Sequence, residues 1–249
     1  MKHPLFLIAL IALPLHAQPA TQPTIDDLLR QAKTARGPDD PSPLPQAIAQ
    51  RHGLDAWPTV TQLDFTFNVK TPKREIARQW SWRPHDHQVT RTINDQPLTF
   101  DPTTVTTESP GPILAAHKEF INDTYWLLFP FQLVWSNPTV TPFGLVDTPI
   151  AKTPAIRMDV TYPTGGYTPG DTYQLYLQPD GGLIREWTFA RPNKPDRHFA
   201  FQDPVTLGPL LTYLNHPTAD GSVNVFFTNL SIQTTTSDTP IKPVPLVTD

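Results

Sequence analysis

Cysteine is absent from this 249-residue chain, which also holds only two methionines and 11 glycines. No disulfide can therefore staple the fold, no cysteine can carry an N-terminal lipid anchor, and no thiol nucleophile is available. The glycines form neither a phosphate-binding loop nor a dinucleotide fingerprint; Gly165-Gly166 and Gly181-Gly182 read as turns. A Gly-x-Ser-x-Gly elbow is missing too. Positive charge is in deficit, with 19 Lys and Arg against 23 Asp and Glu. That leaves no electrostatic footprint for nucleic acid or an anionic lipid surface, so nucleic acid is not an expected partner.

Long apolar runs are scarce. The run from Leu5 to Leu15 is shorter than the ~20 residues that cross a bilayer core. With Lys2 before it and Leu15-His16-Ala17 after it, the run reads as a secretory signal over residues 1–17, cleaved before Gln18. No comparable run follows, so we expect a soluble periplasmic or extracellular protein without stable membrane insertion. Removing residues 1–17 takes away one lysine and no acid, which moves the formal charge from −4 to −5. The remaining stretch of about 230 residues suits one β-rich domain with a sizeable core.

What the chain has in abundance is proline, 31 residues, placed mostly between apolar runs where it marks turns and sheet edges. Residues 18–43 read as a leader: Thr24-Ile25-Asp26-Asp27 opens a short helix to about Ala35, and Gly37 to Pro43 forms a linker. A second helix is expected from Pro45 to His52, stopped by Gly53. From Val60 the apolar period becomes two. Leu63, Phe65, Phe67 and Val69 share one strand face; Trp80 and Trp82 share another, ahead of a turn at Arg83-Pro84-His85-Asp86-His87. The alternation returns in Ile156 to Tyr162, Tyr173 to Leu177 and Leu183 to Phe189, the last two joined by a tight turn at Asp180-Gly181-Gly182. Phe199 and Phe201 follow, and Val223, Val225 and Phe227 are expected to end the sheet. Helical breaks are expected at Ile113 to Asn122 and at Leu207 to Leu214, and the polar residues 234–249 read as a flexible tail. The fold class is mainly β (α+β): a single large curved antiparallel sheet with a few short helices over its concave face.

The most informative stretch runs from His117 to Phe131. A charged, helix-compatible segment passes into Tyr125-Trp126-Leu127-Leu128-Phe129-Pro130-Phe131, where only Pro130 is not a large apolar or aromatic side chain. At ~150–250 Å² per aromatic ring, such a run either plugs a core or lines a place where an apolar molecule sits.

Trp80-Ser81-Trp82, the run Phe120 to Phe131, and the hairpin Asp171 to Leu177 with Gly181 to Trp187 resemble the LolA/LolB-type superfamily of bacterial lipoprotein carriers. The resemblance spans roughly residues 45–233. It implies a half-barrel over residues 44–233, lidded by helices, with acyl chains held in a hydrophobic cavity. No individual residue role carries over, and the absence of cysteine departs from the lipid-anchored LolB-like branch.

Two polar groupings invite chemistry. His85-Asp86-His87 puts two imidazoles at i and i+2, but it sits in a turn without the third and fourth ligands that zinc wants, so a solvated turn is the better reading. His117, Glu119 and Asp123 could act as acid and base; Glu119 and Asp123, four apart on a helix, suit a solvent face, with Asp123 ending the helix. We therefore expect no catalytic residue, metal or cofactor, and a binding protein for a lipid-like or acylated ligand. Trp80, Trp82, Tyr125, Trp126, Phe129, Phe131 and Trp187 are the candidate ligand-contacting residues. A secreted hydrolase with dispersed catalytic residues, and a β-rich envelope interaction protein with a filled core, are the alternatives.

N-terminal sequencing of the exported protein is expected to begin near Gln18 and to find no lipid; intact Met1 on most exported molecules contradicts the cleavable signal.

Overall fold

The computed structural model describes residues 44–162, 172–179, 182–191 and 194–246. The expected signal, the leader helix and linker, the Gly165-Gly166 turn and the first part of the Asp180-Gly181-Gly182 turn lie outside them. Helix α1 (Leu44–Arg51) is followed by a 3-10 turn over Leu54–Thr59. Four strands follow: β1 (Val60–Lys70), β2 (Glu75–Arg83), β3 (Gln88–Ile93) and β4 (Gln96–Phe100). Helices α2 (Gly111–Leu127) and α3 (Phe129–Trp135) are inserted next. Strands β5 (Thr139–Asp147), β6 (Pro154–Thr161), β7 (Thr172–Leu177), β8 (Ile184–Arg191) and β9 (Lys194–Ala200) come after them. The chain continues through β10 (Gln202–Leu207), β11 (Leu210–Pro217), β12 (Asn224–Thr234), β13 (Ser237–Ile241) and β14 (Val244–Pro245).

The strands form two ladders, β5-β6-β7-β8-β9 and β14-β10-β11-β12-β1-β2-β3-β4, with β13 on β12. One bent strand joins them. The bridge Phe199↔Thr218 lies in the same antiparallel register as Gln202↔Asn215, so β9 and β10 are halves of one strand bent at Phe201. Its first half pairs with β8 and its second with β11. The result is the expected open, curved antiparallel sheet, whose ends at β5 and β4 do not meet.

The helix pair owes its shape to Pro130. Proline lacks the N–H that a continuing helix needs, and its ring collides with the carbonyl four residues back. The helix accordingly breaks at Leu128 (φ −120°, ψ 31°) and restarts at Phe129. The break redirects backbone bonds: Phe131 N–H donates to the Leu128 carbonyl, and the Leu127 carbonyl instead accepts from the Thr212 hydroxyl of β11 at 2.7 Å. That bond ties the break to the sheet.

Several expectations change. The helix at Ile113 to Asn122 runs on to Leu127, so Tyr125 to Phe131 is helical and spans the break rather than following a helix. Asp123 does not end the helix or face solvent; it is fully buried inside α2. Leu207 to Leu214 is no helix but the β10–β11 hairpin, turned at Gly208 (φ +57°). The sheet does not end at Phe227: β12 reaches Thr234, and residues 237–245, read as tail, add β13 and β14 through pairs such as Ile232↔Ile241 and Val205↔Pro245. Polar Thr and Pro on those two short strands suit exposed sheet edges, which is why composition suggested a tail.

Gly53 has the left-handed φ expected of a helix stop, at +98°, and it also sits against the β10–β11 turn. A Cβ there would lie 2.4 Å from the Pro209 carbonyl oxygen, beside the bond from Leu211 N–H to the His52 carbonyl. Gly53→Ala should cost more than ~1 kcal/mol, whereas Gly111→Ala, where a Cβ meets open space, should leave stability level or slightly higher. Equal urea midpoints for the two variants would contradict the close approach.

Candidate functional site

The seven candidate residues fall into two aromatic groups on either side of the helix break. Tyr125, Trp126, Phe129 and Trp187 gather over β6–β9. Trp126 lies 4.5 Å from Trp187 and 4.9 Å from Phe199, ring centre to ring centre; Phe129 lies 4.9 Å from Trp187, and Tyr125 lies 5.5 Å from Tyr173. Trp80, Trp82 and Phe131 belong to the other group, over β1–β3: Trp80 and Trp82 lie 5.5 and 5.2 Å from Phe120, while Phe131 and Trp82 both meet Trp57. Trp126 packs against both apolar clusters and links them.

Trp80, Phe129, Phe131 and Trp187 are each no more than 2% exposed. Phe129 and Phe131 are core residues: two residues apart on α3, they point to different sides of it, and each joins a different apolar cluster. Trp82, Tyr125 and Trp126 are partly buried.

The two ends of this helix lid are fastened differently. On the β1–β3 side, Asp123 accepts from Arg78 Nε at 2.7 Å, from Arg78 Nη2, from Trp80 Nε1 at 2.8 Å and from Asn122 Nδ2 at 2.9 Å. Burial raises the Asp123 pKa above the usual carboxylate range, a shift that Arg78 and the amide and indole donors only partly oppose. Glu119 adds ion pairs to Arg78 and Arg91, so it too belongs to this network rather than to a free solvent face. Breaking a buried pair of this kind costs more than either charge alone suggests. Toward β6–β9 and β11, among the described residues, Thr212 bonds Leu127 and the Tyr125 hydroxyl donates to that of Tyr162 at 2.6 Å, beside the ring contacts given above.

His85 and His87 occupy the expected turn, with Arg83 paired to Asp86. Among the described residues no group of three His, Asp or Glu is placed to hold a metal ion.

Sequence reasoning missed two buried histidines. His52 Nδ1–H donates to the Ile48 carbonyl at 2.8 Å, and its Nε2 accepts from the Tyr213 hydroxyl at 3.1 Å, which itself accepts from Ile184 N–H. This chain ties α1, β11 and β8 together and requires a neutral imidazole. His216, on β11, is 0% exposed and packs against Phe201 at 4.5 Å and Trp126 at 5.5 Å. Backbone groups of Tyr213 and Ala200 interact with its ring, whereas the buried Nε1 of Trp187 has no hydrogen-bond partner. The misread β11 hid His216. On a recognised strand it falls in step with Leu210, Thr212 and Leu214, a polar residue in an otherwise inward series.

Beside the aromatic cluster lies a surface cleft of about 320 Å³, lined by Leu183, Ile184, Arg185, Phe201, Asp203 and Tyr213 among others. It opens where β8 begins and β10 takes a new neighbour, and it shares Phe201 and Tyr213 with the cluster.

No family model and no curated protein sequence matches this chain. Among solved structures it is similar to a LolA superfamily protein from Nitrosomonas europaea, at 7% identity over 76% of this chain and 93% of that chain, with a TM-score of 0.40. It is also similar to a DUF1329 family protein from Desulfovibrio piger, at 9% identity over 75% and 90% of the two chains, with a TM-score of 0.41.

Burial lowers the pKa of His52 from 6.5 to about 4, and that of His216 from 6.5 to about 3. Both are neutral when folded and bind a proton in the unfolded chain below pH 6.5, so stability falls as pH drops. The loss is about 1.4 kcal/mol per pH unit for each histidine, levelling near pH 4 for His52 and near pH 3 for His216. Urea unfolding between pH 7.5 and 4 should follow this slope, and His216→Phe should flatten it by about half; an unchanged slope in that variant contradicts the assignment.

Proposed function

We propose that this chain is an exported binding protein, of the carrier kind, for a hydrophobic lipid-like or acylated ligand. The observation that carries the reading is the uneven fastening of the helix lid. The lid is anchored by a buried ionic network at β1–β3, while toward β6–β9 it rests on aromatic contacts, the Thr212 bond and the Tyr125–Tyr162 bond. Apolar burial is worth ~25 cal/mol per Å² whichever apolar surface provides it. An acyl chain can therefore replace the ring contacts of Trp126 and Phe129 at small net cost, whereas the Arg78–Asp123 pair has no such substitute.

In this reading the lid pivots about Asp123, the Thr212 bond opens, and the ligand enters beside Phe201 from the adjoining cleft. Tyr125, Trp126, Phe129 and Trp187 then contact it first, and Trp80, Trp82 and Phe131 form the closed end. Periplasmic or extracellular placement follows from the signal-like residues 1–17; no helix among the described residues is long and apolar enough to cross a membrane.

Trp126 is the position at which to read binding, because Phe129→Ala would also forfeit a core ring at ~3–5 kcal/mol. Titration with the uncharged fluorescent probe N-phenyl-1-naphthylamine should saturate on the wild type. Trp126→Ala should weaken that binding roughly tenfold, while Thr212→Val, which frees the lid, should speed uptake. A wild type that binds no such probe overturns the carrier reading in favour of a filled-core interaction protein.

A further inference from the structure

The cleft beside β8 and β10 holds a cation and an anion that do not pair. Phe201 N–H donates to the Arg185 carbonyl at 2.8 Å, and the ladder Glu186↔Ala200, Trp187↔Phe199 puts Arg185 opposite Phe201, on the same face of the sheet. Asp203 lies two residues beyond Phe201, and all three line the cleft of about 320 Å³ together with Leu183. Arg185 and Asp203 are exposed, and among the described residues neither enters an ion pair. The Arg185 charge is felt at the Tyr213 hydroxyl, in the wall of the same cleft. Asp203 is held by its backbone, at the left-handed φ of +52°, and by Asn215 Nδ2, which donates to its Oδ2. Strain of that kind gathers where a ligand is clamped. The Asp203 Oδ1 has no hydrogen-bond partner among the described residues.

We infer that this cleft binds a free α-amino acid with an apolar side chain, its carboxylate on Arg185 and its ammonium group on Asp203. The inference is independent of the carrier reading, since neither its ligand nor its test involves the aromatic interior. An arginine fork takes a carboxylate through two parallel N–H bonds, and a carboxylate takes an ammonium group through a charge-assisted one. Between the two ions, Phe201 and Leu183 supply an apolar floor for an aliphatic side chain. The charge pattern selects the ligand by exclusion. A monocarboxylate would answer Arg185 but bring its charge toward Asp203, and an amine would do the reverse. An uncharged sugar would leave both ions unanswered. A molecule carrying both signs a few atoms apart satisfies both walls at once, and because the ions flank a single ring, one amino-acid unit suits the span. Both ions keep part of their hydration, so binding is weak but selective.

The test is a titration of the isotopically labelled protein, followed by amide chemical shifts, with L-leucine, isocaproate (leucine without its amine), isoamylamine (leucine without its carboxylate) and glucose. It is run on wild type, Arg185→Gln and Asp203→Asn. Both positions are exposed and Asn tolerates a left-handed φ, so both variants should keep the wild-type spectrum away from the cleft. L-Leucine should move the amides of Arg185, Phe201 and Asp203. It should bind at least roughly tenfold more tightly than isocaproate or isoamylamine, the worth of one charge-assisted hydrogen bond. Arg185→Gln should weaken L-leucine about tenfold and leave isoamylamine no weaker; Asp203→Asn should weaken L-leucine likewise and leave isocaproate no weaker. The inference fails if L-leucine moves no cleft amide, if any of the other three compounds binds as well, or if either variant keeps full affinity for L-leucine. Uptake of N-phenyl-1-naphthylamine decides the carrier reading separately.

Discussion

Pro130 is the constraint on which the inner architecture depends. Without it, Gly111 to Trp135 could continue as one straight helix. Breaking at Leu128 re-aims α3, whose Phe129 and Phe131, two residues apart and so on different sides of the helix, drop onto Trp187 and Trp57, while Trp126 spans the gap between the two clusters. The same break leaves the Leu127 carbonyl without a helical donor, and Thr212 supplies one from β11. One imino acid thus shapes the helix pair and frees the carbonyl through which Thr212 holds it to the sheet.

The two halves of the molecule divide stability from adaptability. Under the β1–β3 end, Asp123 is bound by Arg78, Trp80 and Asn122 in a network with no room for exchange. Under the β6–β9 end, ring contacts such as those of Trp126 and Phe129 with Trp187 dominate. In the proposed carrier reading, a helix pair that is ionic at one end and apolar at the other opens away from Asp123 and toward Trp187.

Much of the sheet was legible from alternation. Leu63 to Val69, Ile156 to Val160 and Tyr173 to Leu177 lie on strands because period-two burial leaves a clear trace in residue type. The 3.6-residue period is fainter where a helix is buried on several sides. Tyr125 to Phe131 is apolar all round, so nothing in its pattern separated helix from loop, and Asp123 looked like an end because a buried carboxylate is legible only with its arginine. Arg78 is 45 residues away in sequence. Leu207 to Leu214 misled for a related reason: β11 is buried at Leu210, Leu211, Thr212 and Tyr213 in succession, erasing the alternation that marks a strand. Of the site, the aromatic members showed in the sequence. His216 did not, because it lies on β11, whose alternation is erased.

The central claim is that the aromatic interior gives way to an acylated molecule. Native mass spectrometry of the gently purified protein, repeated after incubation with a mixed lipid extract, tests it most directly. The account predicts a bound population heavier by the mass of one lipid-like or acylated molecule, released when the protein is unfolded. A spectrum that holds only the bare chain, before and after incubation, contradicts it.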